Sequence, residues 1–270
     1  MQFLWKCKRK FVVTQVAKNR IRLIYDFLKD NRAWECPIGH MVPREPACEC
    51  KGDASHVALG AINSAIKAII FIPYKQELYN RMKAGKTHIN VMELMILFLG
   101  YIMFLHKYKL TPQQFPPEPY LKLWGDSMSA NKWFRTFSTA SLMATKALEL
   151  FAEYFQYSPV CPITEHIPGR LNIEADNISR PNKHFSPPRE YIYDVNYKTL
   201  LKQVCRKHKK IENWDVFLPS KDLLWDISCV VYSASLPEGL KRRSSLGRFV
   251  PVASIFSGSA TDINYSTCFL

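Results

Sequence analysis

The chain has 270 residues, the size of one ordinary domain with flanks or of two small ones, and 47% of them are hydrophobic, ample for a packed core. Lys and Arg number 37 against 23 Asp and Glu, and the formal net charge of +14 favours a polyanionic partner, nucleic acid before a membrane surface. The eight cysteines show no Cys-x-x-Cys pair, and no long apolar run follows the basic residues Lys6, Lys8, Arg9 and Lys10, which excludes a disulfide scaffold and a secretory signal and leaves a cytoplasmic or nuclear protein as the expectation.

In chain order, residues 1–22 carry seven basic side chains and no acid, and residues 22–29 are predicted helical. A Pro-punctuated linker covers 36–50. Strands are predicted over 49–55 and, as one or two more, over 58–72, with Gly60 as a bend. Residues 75–85 read as loop or short helix, 88–90 as the end of another strand, and 92–107 as a helix. That helix lies in a strongly apolar stretch, 89–105, interrupted by Glu93 and Gly100. A central carboxylate costs about 2–3 kcal/mol in a bilayer helix, so a buried helix is predicted and no membrane partner is expected. A Pro-rich connection spans 111–119, followed by a short strand at 121–125, helices at 129–137 and 142–157, and a strand at 160–166. After a tight Pro168-Gly169 loop, a further helix opens near Asn172. Beyond Arg180 the pattern weakens. Prolines break it at 181, 187 and 188, basic clusters follow at 206–210 and 241–243, and the last twenty residues are expected to be disordered. This succession implies an α/β fold with a mixed sheet.

Four acids stand at suggestive places in that plan. Asp53 ends a predicted strand in Gly52-Asp-Ala-Ser55, Glu93 lies in the first turn of a helix after His88-Ile-Asn90, and Asp126 follows a strand directly. Asp176 opens the last helix, and His166 sits at the lip of the strand before it. In open α/β sheets, ligand sites gather at strand ends and the adjoining helix N-termini. Taken singly, each acid reads as a helix-start charge or a solvated residue. Four in this order point to a cation site, because converging carboxylates repel one another unless neutralised. Hard oxygen donors select Mg²⁺ or Mn²⁺, and a pair of such ions activates a water and stabilises the leaving oxygen in phosphodiester cleavage.

Other residues carry two readings each. Lys132, Trp133, Arg135 and Phe137 interleave charge and aromatic rings, either to track a DNA strand or to pack Trp133 and Phe137 inward from an amphipathic helix. Ser55 and Asn90 suit 2′-hydroxyl contacts or, more plainly, a turn and a helix cap. Cys36, His40, Cys48 and Cys50 can be read as a zinc site, but the spacing matches no common pattern and the cysteines read more plainly as ordinary buried thiols. The runs 206–210 and 241–243 read most simply as solvated, with added phosphate affinity as the functional alternative.

The run His166-Ile-Pro-Gly-Arg-Leu-Asn-Ile-Glu-Ala-Asp-Asn-Ile-Ser-Arg180, together with Asp53-Ala-Ser55, Leu59-Gly-Ala-Ile62, Asn90-Val-Met-Glu-Leu94 and Trp124-Gly-Asp-Ser127, resembles the ribonuclease H domain of retroelement reverse transcriptases, gypsy-type and DIRS-like. Thr87-His-Ile-Asn-Val-Met-Glu93 and Trp34-Glu-Cys-Pro-Ile38 are nearest the DIRS-like branch. The resemblance implies a ribonuclease H-like mixed five-stranded sheet flanked by helices over 46–182. A basic polymerase thumb or connection remnant (1–45) would precede it, and a basic, partly disordered extension (183–270) would follow. It also implies a metal-dependent endonuclease that hydrolyses the RNA strand of RNA–DNA hybrids as part of a retrotransposon polyprotein. Asp53, Glu93, Asp126 and Asp176 would hold two Mg²⁺ or Mn²⁺ ions, with His166 assisting. Ser55, Asn90, Ser127, Lys132, Trp133, Arg135 and Asn172 would contact substrate, and a reverse transcriptase polymerase domain is a further partner it raises. Retroelement versions often carry Asp-Asn at the third acid, where this chain has Asp126-Ser127. There is no Tyr-x-Asp-Asp motif, so polymerase chemistry is not expected here. The alternative is a catalytically inactive relic that keeps the fold and binds nucleic acid.

Overall fold

The computed structural model describes residues 45–155, 158–181, 197–232 and 245–257, together with Lys18, Ile21, Arg22, Tyr25 and Lys29. All five upstream positions are helical; Arg22, Tyr25 and Lys29 fall in the helix predicted over 22–29, and Lys18 and Ile21 lie before it. Met1–Met41 and Val42–Leu270 form separate compact units, and all that follows concerns the second.

The second unit is an α/β structure built on one mixed seven-stranded sheet. Strands β1 (Cys48–Ala54), β2 (Ala58–Asn63) and β3 (Ala68–Pro73) form an antiparallel meander. Helices α1 (Gln76–Lys83) and α2 (Ile89–Leu110) lead to β4 (Tyr120–Gly125), which pairs parallel to β1. Helices α3 (Met128–Thr136) and α4 (Leu142–Phe155) lead to β5 (Cys161–His166), parallel to β4. Helix α5 (Ile173–Ser179) follows. Then come α6 (Tyr197–Lys207), β6 (Asp215–Pro219), α7 (Lys221–Val231), β7 (Gly247–Pro251) and α8 (Val252–Ser257). β6 joins β3 in parallel, β7 joins β6 antiparallel, and the sheet order is β5-β4-β1-β2-β3-β6-β7.

Every residue of β2 and β3 is buried, because helices cover both faces. The period-2 alternation of a strand then sorts them. Leu59, Ala61, Ile70 and Ile72 pack with α2, α4 and α7. Ala58, Ile62, Ile69 and Phe71 pack with Ala175 and Ile178 of α5, Tyr197 and Leu201 of α6 and Ile255 of α8. The central helix α2 is buried without a break from Val91 to Leu105, and its Phe98 ring stacks on Phe151 of α4 at 4.1 Å between centroids. A helix apolar all round belongs inside a protein or a membrane. Among the described residues α2 alone is long and apolar enough to cross a membrane, and 83% of its most apolar window is buried inside the fold.

Several expectations are corrected. The sheet has seven strands rather than five, since β6 and β7 extend it beyond residue 182. The segment after 182 is therefore not merely an appended tail: residues 197–232 and 245–257 are folded onto the same sheet. Residues 88–90 do not end a strand. His88 is the N-cap of α2, its ring Nδ1 accepting from the Asn90 amide at 3.1 Å. Gly60 is no bend but the middle of β2, where a Cβ would stand 2.4 Å from the Ser179 amide nitrogen. The 75–85 segment takes the second of its two expected forms, the short helix α1. Cys36, His40, the 241–243 cluster and the residues after Ser257 lie outside the described residues.

Candidate metal centre

The acids are brought together by the adjacent ends of the parallel strands. Asp53 is the last residue but one of β1, and Asp126 follows the last residue of its parallel neighbour β4. Glu93 lies five residues into α2, in its second turn rather than the first. One carboxylate oxygen from each of Asp53, Glu93 and Asp126 falls within 4.8 Å of the others. Asp53 and Glu93 are buried and Asp126 is half-buried.

Helix α5 is fastened to β1 at both ends. At its start, the fully buried Asn172 donates through Nδ2 to the Gly52 carbonyl at 2.9 Å. At its end, the Ser179 hydroxyl donates to Asp53 Oδ2, and Ser55 Oγ donates to the Ser179 carbonyl at 2.7 Å. The Pro168-Gly169 loop passes so close that a Cβ at Gly169 would lie 3.1 Å from Asp126 Oδ2. Asp176 is thereby carried to the edge of the group, but its Oδ1 is paired with Arg180 Nε at 2.8 Å, and it is not one of the three convergent acids. Its charge nonetheless raises the proton affinity of both Asp53 and Asp126.

Burial, with Asp126 and Asp176 nearby, pushes the Asp53 carboxyl up to about 6 against the relief given by the Ser179 hydroxyl. Burial, then the Asp53 and Asp126 charges, push Glu93 up to about 9. Burial also raises Asp126. Glu93 Oε1 accepts from the Ala54 amide at 2.9 Å, whereas the buried Oε2 has no hydrogen-bond partner. A buried carboxylate oxygen left bare beside two further carboxylates fits a cation, and the all-oxygen donor set is that of a hard divalent ion.

The sign of the pH dependence follows. Both folded-state values lie above the ~3.9 and ~4.3 of unfolded Asp and Glu. Protonation therefore stabilises the metal-free fold. That contribution is full below about pH 4 and is lost by about pH 6 for Asp53 and about pH 9 for Glu93, with a slope of up to about 1.4 kcal/mol per pH unit for each. In EDTA the melting temperature is expected to fall between about pH 5 and pH 9, and Mn²⁺ at about 1 mM is expected to raise it more at pH 8 than at pH 5. Melting curves indifferent to both pH and Mn²⁺ would show that the carboxylates do not form one site.

The remaining residues divide. His166 pairs in register with Gly125, and its Nε2 lies 3.1 Å from the Asp126 carbonyl oxygen, at the exposed rim of the group. Ser127 accepts from the Ala130 amide at 3.2 Å as the N-cap of α3, and its hydroxyl reaches Asn90 Oδ1 at 3.4 Å, so both stay beside the acids. Ser55 and Asn172, expected to touch substrate, are turned inward and engaged by backbone groups, because they fasten α5 to β1. On α3, Lys132 and Arg135 are exposed and Trp133 is half-buried. Phe134, rather than Phe137, fills the core, and Phe137 is 43% exposed at the left-handed C-cap of α3. The Cys48 and Cys50 thiols are buried and free, and Cys48 Sγ accepts from Asn63. Ser179 and Arg180 lie inside the motif read from sequence, yet nothing local distinguished them. Asn131 was missed as well: its Nδ2 donates to the carbonyls of Gly125 and Ser127 at 2.8 and 2.9 Å, holding the Asp126 turn.

Compared with known proteins, the chain matches no family model, no curated protein and no solved structure.

Proposed function

We propose that this chain is a ribonuclease H-like, metal-dependent endonuclease of retroelement origin that hydrolyses the RNA strand of RNA–DNA hybrids. The observation that carries this reading is the convergence of Asp53, Glu93 and Asp126 at the ends of parallel strands, with one Glu93 oxygen buried and bare. Further support comes from residues 46–182, which supply five of the seven strands, and from Asp176 and His166 at the edge of the same group. The net charge of +14 suits a polyanionic substrate.

In this reading Asp53, Glu93, Asp126 and Asp176 hold two Mg²⁺ or Mn²⁺ ions. Bound there, the ions supply a more acidic water and charge stabilisation for the leaving oxygen. Asp53 and Glu93 are held rigidly, by Ser179 and by the Ala54 amide, so their oxygens need little reorganisation when charge develops. The Arg180 guanidinium holds Asp176 at the edge of the group, where it would be the fourth acid available to a cation. The Asp126 carbonyl can only accept, so His166 donates to it through Nε2, which leaves Nδ1 facing away from that bond to exchange a proton at the rim.

Binding is expected to weaken steeply with salt, as phosphate contacts release counterions, whereas cleavage requires ribonucleotides, whose 2′-hydroxyls and A-like shape mark the hybrid. A sequence-matched comparison of hybrid with duplex DNA tests this: the hybrid's RNA is cut and the duplex is not, and equal cutting of both would refute it. His166→Ala is expected to slow turnover by roughly 10²–10⁴-fold without stopping it, as water replaces a proton shuttle in part. Hybrid binding without any cleavage would instead mark an inactive relic.

A further inference from the structure

Four cationic side chains from three separate stretches of chain gather around α5, the helix that carries Asp176 to the edge of the carboxylate group. Lys51 lies on β1 two residues before Asp53, so the two side chains leave the same face of the sheet, about 6–7 Å apart along the strand. Lys51 Nζ meets Glu174 Oε2 at 2.9 Å, and Lys210 Nζ lies 3.7 Å from Glu174 Oε1. Lys207 Nζ donates to the backbone carbonyl of Arg180, whose guanidinium is the partner of Asp176. Glu174, Asp176 and Arg180 all belong to α5 or its C-cap, the helix that brings Asp176 to the site. Lys207 ends α6 and Lys210 lies in the 3-10 turn Lys209–Asn213, both beyond the residues that carry the sequence resemblance.

Among these six side chains the cations outnumber the acids four to two. Lys210 is 75% exposed. Partly exposed ion pairs add little to stability, so stability gives little reason to assemble them here. A reason exists if a phosphate backbone lies across the acids. The carboxylates would repel it, and the flanking cations offset that repulsion next to the reacting bond.

We propose that Lys51, Arg180, Lys207 and Lys210 form a phosphate-tracking strip that grips the nucleic-acid backbone beside the carboxylate group, so that the segment after residue 182 completes the substrate surface. This rests on the nuclease reading of the site.

The test is equilibrium binding of the full chain to a fluorescent RNA–DNA hybrid in EDTA over a series of NaCl concentrations. Lys207→Ala/Lys210→Ala is expected to flatten the slope of log affinity against log salt by about two, one for each ammonium group withdrawn from a phosphate. Lys207→Arg/Lys210→Arg is expected to restore it. Lys107→Ala/Lys109→Ala removes the same charge at the far end of α2, roughly 21–24 Å along the helix from Glu93, and is expected to leave the slope as in wild type. The Mn²⁺-induced rise in melting temperature should survive in the Lys207/Lys210 double alanine variant. A wild-type slope in that variant, an equal flattening from the distant pair, or loss of its Mn²⁺ response overturns the strip. If the hybrid is bound and cut while the slope is unchanged, the strip alone fails. If wild type binds no hybrid, the nuclease reading fails with it.

Discussion

Asp126→Asn is expected to lower hydrolysis of an RNA–DNA hybrid by roughly 10³-fold or more, because a metal ligand supplies several kcal/mol of charge stabilisation in the transition state. The fold should survive. Asp126 is half-buried, lies in a turn held by Asn131 and is nearly isosteric with Asn. Its charge raises the proton affinity of Asp53 and Glu93, so its loss should relieve repulsion and lift the metal-free melting temperature slightly. Hybrid binding should hold or tighten, with one negative charge fewer near the phosphates. The pairing of an inactive enzyme with an undiminished melting temperature separates loss of chemistry from loss of structure. An Asp126→Asn protein that cuts at the wild-type rate would mean that the metals are held elsewhere.

Gly60→Ala is expected to destabilise the protein by about 3 kcal/mol or more, an unusually large effect for one methyl group. The added Cβ would stand 2.4 Å from the Ser179 nitrogen, 2.9 Å from the Ile178 carbonyl carbon and 3.0 Å from the Ala175 oxygen. All three are backbone atoms of α5, so no side-chain rotation makes room. The helix must lift off β2. Ser179 then leaves Asp53, and Asp176 moves with it, so activity should fall by about 10²-fold for each ångström of misplacement even where the variant stays folded. Urea denaturation measures the first effect, as a lower midpoint at an unchanged slope. A Gly60→Ala protein as stable as wild type would show that α5 is not seated on β2 at that distance.

The acids were legible in the sequence because each stands where a local pattern changes, at the end of a strand run or soon after a helix start. The His166, Asn172 and Asp176 spacing was legible because loop and helix follow one another directly. What anchors those groups was not. Asn172 and Ser55 look like polar surface residues until Gly52 and Ser179 are brought against them from more than 100 positions away. Gly60 read as a bend because a glycine inside a strand run most often marks one, whereas here a helix backbone presses on it. His88 read as a strand end because histidine is not among the strong N-caps. β6 and β7 escaped notice for a topological reason. β6 pairs parallel to β3 across more than 140 residues, and five-residue strands flanked by basic and proline-rich segments carry almost no periodic signal. Residues 206–210 read as a solvated run for the same reason, since only the packing of α6 against the sheet brings Lys207 to the end of α5 and Lys210 to Glu174 near its start.

The most direct test of the central claim is to incubate the purified chain with a hybrid end-labelled on its RNA strand, with Mg²⁺ or with EDTA, and to identify the ends of any fragments. The RNA is expected to be cut only with the divalent ion, with the DNA strand intact and no 2′,3′-cyclic phosphate among the products, because water rather than the neighbouring 2′-hydroxyl attacks phosphorus. Cutting that persists in EDTA, cyclic-phosphate ends, or no cutting under either condition would contradict it.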